Sequence, residues 1–164
     1  MLSDPHQSGI GDPIHRNTQN IGNITKSNPN RGYTDVDNCV DLKDPHPKAL
    51  DFYTNVLGFI KKNDVPLGEH RWLTVVSSQE QDGVELLLEP IAFEPTKTYQ
   101  KSLKEAGIPW TAFEVQDLDS EFERLTKLGV EFFITPKEAG TVKIAVLDDT
   151  CGNYIQLMQI MTEV

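Results

Sequence analysis

Cations are scarce in this chain: 15 Lys and Arg stand against 25 Asp and Glu, giving a net charge of −10. That balance argues against a nucleic-acid partner, because phosphate neutralisation needs clustered bases. It argues equally against an anionic membrane surface. No apolar run approaches the roughly 18–20 residues of a bilayer span, and no basic segment followed by an apolar core reads as a secretory signal. Only two cysteines occur, Cys39 and Cys151, without CxxC spacing, so free thiols in a cytoplasmic protein are expected. Aromatics make up 8% and histidines number four. There is no phosphate loop, GxSxG elbow or HExxH.

Residues 1–32 hold six large apolar residues among Asn, Gly, Pro and Ser. They read as a low-complexity tail, either a disordered leader or a strand laid along the body or a neighbouring subunit. The body shows clearer periodicity. Val36 to Leu42 alternates weakly, as a strand does. Asp44-Pro45-His46-Pro47 is a turn, and Ala49, Leu50, Tyr53 and Leu57 recur at helical spacing, closed by Gly58. Strands are expected over Phe59–Val65 and His70–Val76, around a Pro66-Leu67-Gly68 turn, and, after the Asp82-Gly83 hairpin signal, over Val84–Glu89. A helix over Thr96–Ala106 follows. The same order then recurs: a strand over Pro109–Val115, a helix from Asp117 to Leu128, and strands over Val130–Ile134, Val142–Leu147 and Asn153–Ile160, with a turn at Pro136–Gly140. Leu57-Gly58 and Leu128-Gly129 mark the repeat. The implied organisation is a βαβββ module over 33–94, a linking helix over 95–106 and a second module over 107–164. The fold class is α+β, with two curved mixed sheets around a cleft.

Three segments carry a family resemblance. Ala49-Leu50-Asp51-Phe52-Tyr53-Thr54-Asn55-Val56-Leu57-Gly58-Phe59 is a recognisable helix. Trp110 to Leu118 resembles the opening of a second module, and Asp148-Asp149-Thr150-Cys151-Gly152-Asn153-Tyr154-Ile155-Gln156-Leu157 a closing hairpin. Together they resemble the glyoxalase / bleomycin-resistance / extradiol-dioxygenase group, the vicinal oxygen chelate superfamily, over residues 35–160. The resemblance implies two curved sheets enclosing a cleft for a small molecule or a divalent metal, commonly in a homodimer.

Metal-using relatives place His, Glu, His and Glu at four cleft positions. Mapped here, the first is Asp37, or Asn38 after a one-residue slip. The second is Glu89, with Glu85 as the alternative, the third Trp110 and the fourth Gln156. Indole offers no lone pair to a metal, and a Gln carbonyl adds no charge. The expectation is therefore no cofactor, with a divalent metal as the alternative. The partner expected is a small organic molecule, in a cleft centred on Trp110, Gln156 and Glu89, with Trp72 and Arg71 as further contacts. Parity sends Phe113 towards the helices. Glu89 is the candidate general base. Trp72 reads equally as ordinary packing, and Arg71 as a salt bridge to Glu85 or Glu89. The competing function is a divergent lyase, isomerase or dioxygenase. Cys39 and Cys151 lack basic neighbours and are not expected as nucleophiles. The acids Asp117, Asp119, Glu121 and Glu123 read as a solvated helix start.

Overall fold

A computed structural model describes residues 47–68 and 71–161, together with the backbone of Thr18–Gln19, Tyr33–Asn38 and His70. Two short strands come first, β1 at Thr18–Gln19 and β2 at Tyr33–Asn38. Helix α1 starts at Lys48–Asp51 and widens into a π-helical turn over Phe52–Val56. Three strands follow, β3 (Ile60–Leu67), β4 (His70–Val76) and β5 (Glu85–Pro90). Helix α2 (Glu94–Glu105) leads to β6 (Thr111–Glu114) and α3 (Leu118–Lys127). The last strands are β7 (Phe132–Ala139), β8 (Val142–Asp148) and β9 (Tyr154–Ile160).

The strands make two sheets of matching order. The first runs β2-β5-β4-β3 and the second β6-β9-β8-β7, with β1 added in parallel at the free edge of β6. Each four-strand set therefore wires strand, helix and three strands identically. The repeat extends to a defect: register slips between Lys61 and Asn63 in β3, and between Phe132 and Ile134 in β7. Matched bulges bend each sheet at the same point. β1 realises, at Thr18–Gln19, the reading of the leader as a strand along the body; the rest of that leader lies outside the described residues, as does the turn at Asp44–His46.

Period-2 alternation decides what each strand buries. Leu73 and Val75 on β4 and Leu86 and Leu88 on β5 join one core with Ala145, Leu147, Ile155, Leu157 and Phe113 of the second sheet. Ala49, Leu50, Phe52 and Tyr53 of α1 and Leu118 and Leu125 of α3 complete it. Phe113 thus faces the helices, as parity requires. Each such aliphatic side chain contributes about 1.5–3 kcal/mol on burial. The π-helical turn lets the neighbours Phe52 and Tyr53 both enter the core, at 6% and 0% exposed. The left-handed Gly58 (φ +81°) then releases the chain into β3.

Several boundaries differ from the sequence expectation. Pro66 and Pro136 were expected in turns, yet β3 and β7 run through both. The reason is position: β3 and β7 are edge strands, where a missing N–H breaks no ladder bond, and Pro136 sits in a second slip between Ile134 and Lys137. Cys151 is buried and held in a disulfide, which corrects the expectation of a free thiol there. The chain's other cysteine, Cys39, lies outside the described residues. No described helix is long and apolar enough to cross a membrane.

At the β3–β4 edge, Arg71 forks onto Asp64, with Nε to Oδ1 at 2.6 Å and Nη2 to Oδ2 at 2.8 Å. The salt-bridge reading of Arg71 holds, but with Asp64 on the strand to the other side, not Glu85 or Glu89. The fork of Arg71 holds the Asp64 carboxyl well below the usual range, helped by Lys61 and opposed by partial burial. A depressed folded pKa contributes stability that is present above the unfolded value of about 4 and lost as pH falls below it. Asp64→Asn is therefore expected to cost about 1 kcal/mol near neutrality. In urea denaturation across pH, the gap to the parent should close as pH drops below about 4.

The closing hairpin carries strain. Thr150 has φ +62°, the one positive value among described non-glycine residues. It is held by Lys48 Nζ donating to its carbonyl at 2.7 Å and by its own N–H donating to Asp148 Oδ1 at 2.8 Å. A β-branched residue pays for this conformation, whereas Asn tolerates it. Thr150→Asn is expected to stabilise by about 0.5 kcal/mol, read as a Tm rise of about 1–2 °C in calorimetry.

Candidate functional site

Each sheet has a core face and an opposite face, and the expected site residues divide between them. On the first sheet the face opposite the core carries Thr74, Val76, Glu85 and Leu87, all buried. Trp72 lies two residues before Thr74 on that face, half-buried, and pairs in register with the exposed Val65. Glu89 lies two residues beyond Leu87, exposed, with Asp37 of β2 beside it in the ladder. Arg71 belongs to the other face by parity, with Leu73 and Val75. Trp72 and Glu89 thus share a face that Arg71 does not.

On the second sheet Gln156 is half-buried, flanked in register by Ala112 of β6 and Val146 of β8. Trp110 enters β6 with its backbone N–H donating to Tyr154 O at 2.8 Å. Its half-buried indole packs against the core and meets Tyr99 of α2 edge to face, with centroids 5.6 Å apart. Nearby, Phe133 stacks on Tyr154 at 4.5 Å, and the Lys104 ammonium lies 5.3 Å from the Tyr154 ring. Tyr99, Tyr154 and Phe133 were not singled out from sequence. Tyr154 could have been, because it stands two residues before Gln156 and so shares its side of β9. Trp110 and Gln156 belong to the second sheet, Trp72 and Glu89 to the first.

The matched bulges allow a test of the metal positions. Asn63 pairs with Thr74 and Thr74 with Leu87; in the repeat, Ile134 pairs with Val146 and Val146 with Gln156. Leu87, with no donor atom, is therefore the repeat partner of Gln156, and Glu85 and Glu89 flank it on the same face. Among the described residues no three His, Cys, Asp or Glu side chains gather as a metal group would require. An amide, an indole and a leucine do not fit a divalent cation.

The buried acids are engaged locally. Glu85, 1% exposed, accepts from Thr74 Oγ1 at 2.8 Å and Asn63 Nδ2 at 2.7 Å through Oε2. Its Oε1 has no hydrogen bond but lies 3.4 Å from the Lys62 ammonium. Burial pushes the Glu85 carboxyl up, but the Thr74 bond, the Lys62 charge and the Asn63 bond together bring it below its ordinary value. Asp149 is fully buried in the closing hairpin. It accepts from the backbone N–H groups of Cys151 and Asn153 at 2.8 and 2.9 Å, from Asn153 Nδ2 at 2.6 Å and from Tyr53 Oη at 3.3 Å. Desolvation still leaves Asp149 above the usual carboxylate range despite these donors, and burial beside that carboxylate raises Tyr53 well above its own. The hairpin acid is thus a structural anchor tying α1 to the second sheet.

Comparison with known proteins agrees with this architecture. Residues 43–157 match the model of the Glyoxalase/Bleomycin resistance protein/Dioxygenase superfamily. The chain is 54% identical over 111 residues to the uncharacterized protein YurT of Bacillus subtilis (strain 168), covering 68% of this chain and 87% of that protein. Among solved structures, UcmS2 is similar at 28% identity and TM-score 0.66, covering 80% of this chain and 98% of its own. TnmS3, an antibiotic binding protein from Streptomyces sp. CB03234, is similar at 25% identity and TM-score 0.61, covering 82% and 98%. With the paired βαβββ order, the repeated bulge and a family match over most of its length, the chain belongs to the glyoxalase / bleomycin-resistance / dioxygenase superfamily.

Proposed function

We propose that this protein binds a small organic molecule without a metal, in an aromatic-lined cleft, and works as a homodimer. The reading rests on the sequence mapping of Trp110 onto a position where metal-using relatives carry a histidine, and its support is a half-buried indole at the start of β6, edge to face with Tyr99. A large flat ring with a single N–H favours stacking of a planar ligand over coordination. Gln156 adds an amide that both donates and accepts, suited to orienting a polar rim group. Trp72, with Val65 beside it, offers a second apolar surface, and Glu89 a carboxylate at its margin. The similarity to TnmS3, described as an antibiotic binding protein, supports a ligand of that kind. Trp72 lies on one sheet and Trp110 on the other, while the core faces of both sheets are spent on each other and on the helices. A second copy, setting the first sheet of one protomer against the second sheet of its partner, would join the two surfaces.

The second reading is a metal-dependent lyase, isomerase or dioxygenase holding its ion through Asp37, Glu89 and Gln156, or using Glu89 alone as base. Its support is the register neighbourhood of Asp37 and Glu89 on β2 and β5. Elemental analysis of protein purified without chelator separates the two readings. No stoichiometric metal is expected, and one tightly held ion per chain would overturn the proposal.

Binding is read by Trp fluorescence during titration with a panel of aromatic antibiotics. At least one should quench, and Trp110→Ala should weaken that ligand about tenfold while leaving the circular dichroism unchanged. Undiminished affinity in Trp110→Ala would remove the indole from the site. Size-exclusion with light scattering should give twice the chain mass.

A further inference from the structure

A cavity of about 460 Å³ opens at the seam between the two modules, lined by residues other than Trp110 and Trp72. That volume falls within the range of small-molecule sites. Its floor is apolar: Phe59 and Phe113, with centroids 5.2 Å apart, and Leu157 beside them. Phe113 and Leu157 are 4% and 3% exposed, so the floor belongs to the rigid core. Ser77, Ser78 and Gln79, beyond β4, form one wall, and the start of α3 forms the other.

The charge of this lining selects among ligands. Glu114, Asp117 and Glu121 line the cavity against a single cation, Arg124. Arg124 is already committed: Nε and Nη2 donate to Glu121 at 2.8 and 2.6 Å, and Nη2 also donates to Val56 O at 2.8 Å. The start of α3 offers an anion little either. Leu118 N donates to Gln159 Oε1, Ser120 N to Asp117 Oδ1 and Glu121 N to Asp117 O. An anion entering here would meet carboxylates and amides already in use. A cation would meet a lining whose net charge stays negative, with Glu114 the acid outside the Asp117–Ser120 and Glu121–Arg124 pairings, while the aromatic floor takes an apolar body.

We infer that this seam cavity is a second ligand site, taking a compact aryl or cycloalkyl amine in its protonated form. The hydrocarbon body lies over Phe59 and Phe113, and the ammonium sits at the acidic rim formed by Glu114 and the first turn of α3. This site is independent of the cleft ligand, because none of the residues assigned to that cleft lines it.

The test uses the ¹⁵N-labelled full chain and amide NMR, with 2-phenylethylammonium and 1-adamantylammonium as probes and 3-phenylpropionate as the anionic counterpart. Both amines should shift the amides of residues 77–79 and 113–121. They should bind at least about tenfold more tightly than the carboxylate. Glu114→Gln should weaken the amines about threefold. Ser78→Trp, which fills the mouth from an exposed position, should abolish these shifts while the rest of the spectrum is unchanged. Trp110→Ala should leave amine binding unaltered, which separates this site from the cleft. Equal affinity for amine and carboxylate would overturn the inference. So would shifts centred on Trp72 or Trp110, shifts persisting in Ser78→Trp, or no shifts up to the solubility limit.

Discussion

One apolar core serves both halves of this molecule, and that sharing constrains everything outside it. Leu73, Val75, Leu86 and Leu88 of the first sheet and Ala145, Leu147, Ile155 and Leu157 of the second meet the same helices. Because strand side chains alternate, committing these residues to the core sends their neighbours to the opposite faces without further choice. Trp72 and Glu89 on one sheet, and Gln156 on the other, owe their positions to this partition. The Tyr53–Asp149 contact stitches α1 of the first module to the closing hairpin of the second. Shifting one module against the other would expose a carboxylate that now draws on three donors from its own hairpin.

The chemistry of the opposite faces follows from what the buried acids are asked to do. A metal site needs carboxylates and imidazoles free to turn towards an ion. Here Glu85 is spent on Thr74, Asn63 and Lys62, and its neighbour on that face, Leu87, holds the repeat position of Gln156. Leu87 and Gln156, related through the repeat, offer surface and an amide in place of charge. In the proposed reading the half-buried Trp110 and Gln156 would hold a planar molecule by desolvation and stacking, with selectivity from one or two polar contacts.

The elements most legible from sequence were those with strong local signals. His70–Val76 matches its strand, and the helix ends at Gly58 and Gly129 fall where glycine takes a left-handed φ. Where tertiary position overrode local chemistry, the reading failed. Pro66 and Pro136 read as turn residues, but an unpaired strand edge accommodates them. Arg71 was correctly read as a salt-bridge partner, yet β3 supplied Asp64 where β5 was expected to supply Glu85 or Glu89. The acidic start of α3 proved more than solvated: Asp117 caps Ser120 and Glu121 grips Arg124.

Periodicity, glycine placement and the twofold repeat are local properties, so the sequence by itself determined the element order, the α+β class and which residues share a face. Bulges and strand neighbours are long-range properties. Only the tertiary structure could pair Gln156 with Leu87 through the repeat, bring Tyr99, Phe133 and Tyr154 around the start of β6, and open a cavity between Phe59 and α3. The physical reason is that a one-residue slip in a ladder changes every cross-strand partner while leaving the alternation along each strand untouched.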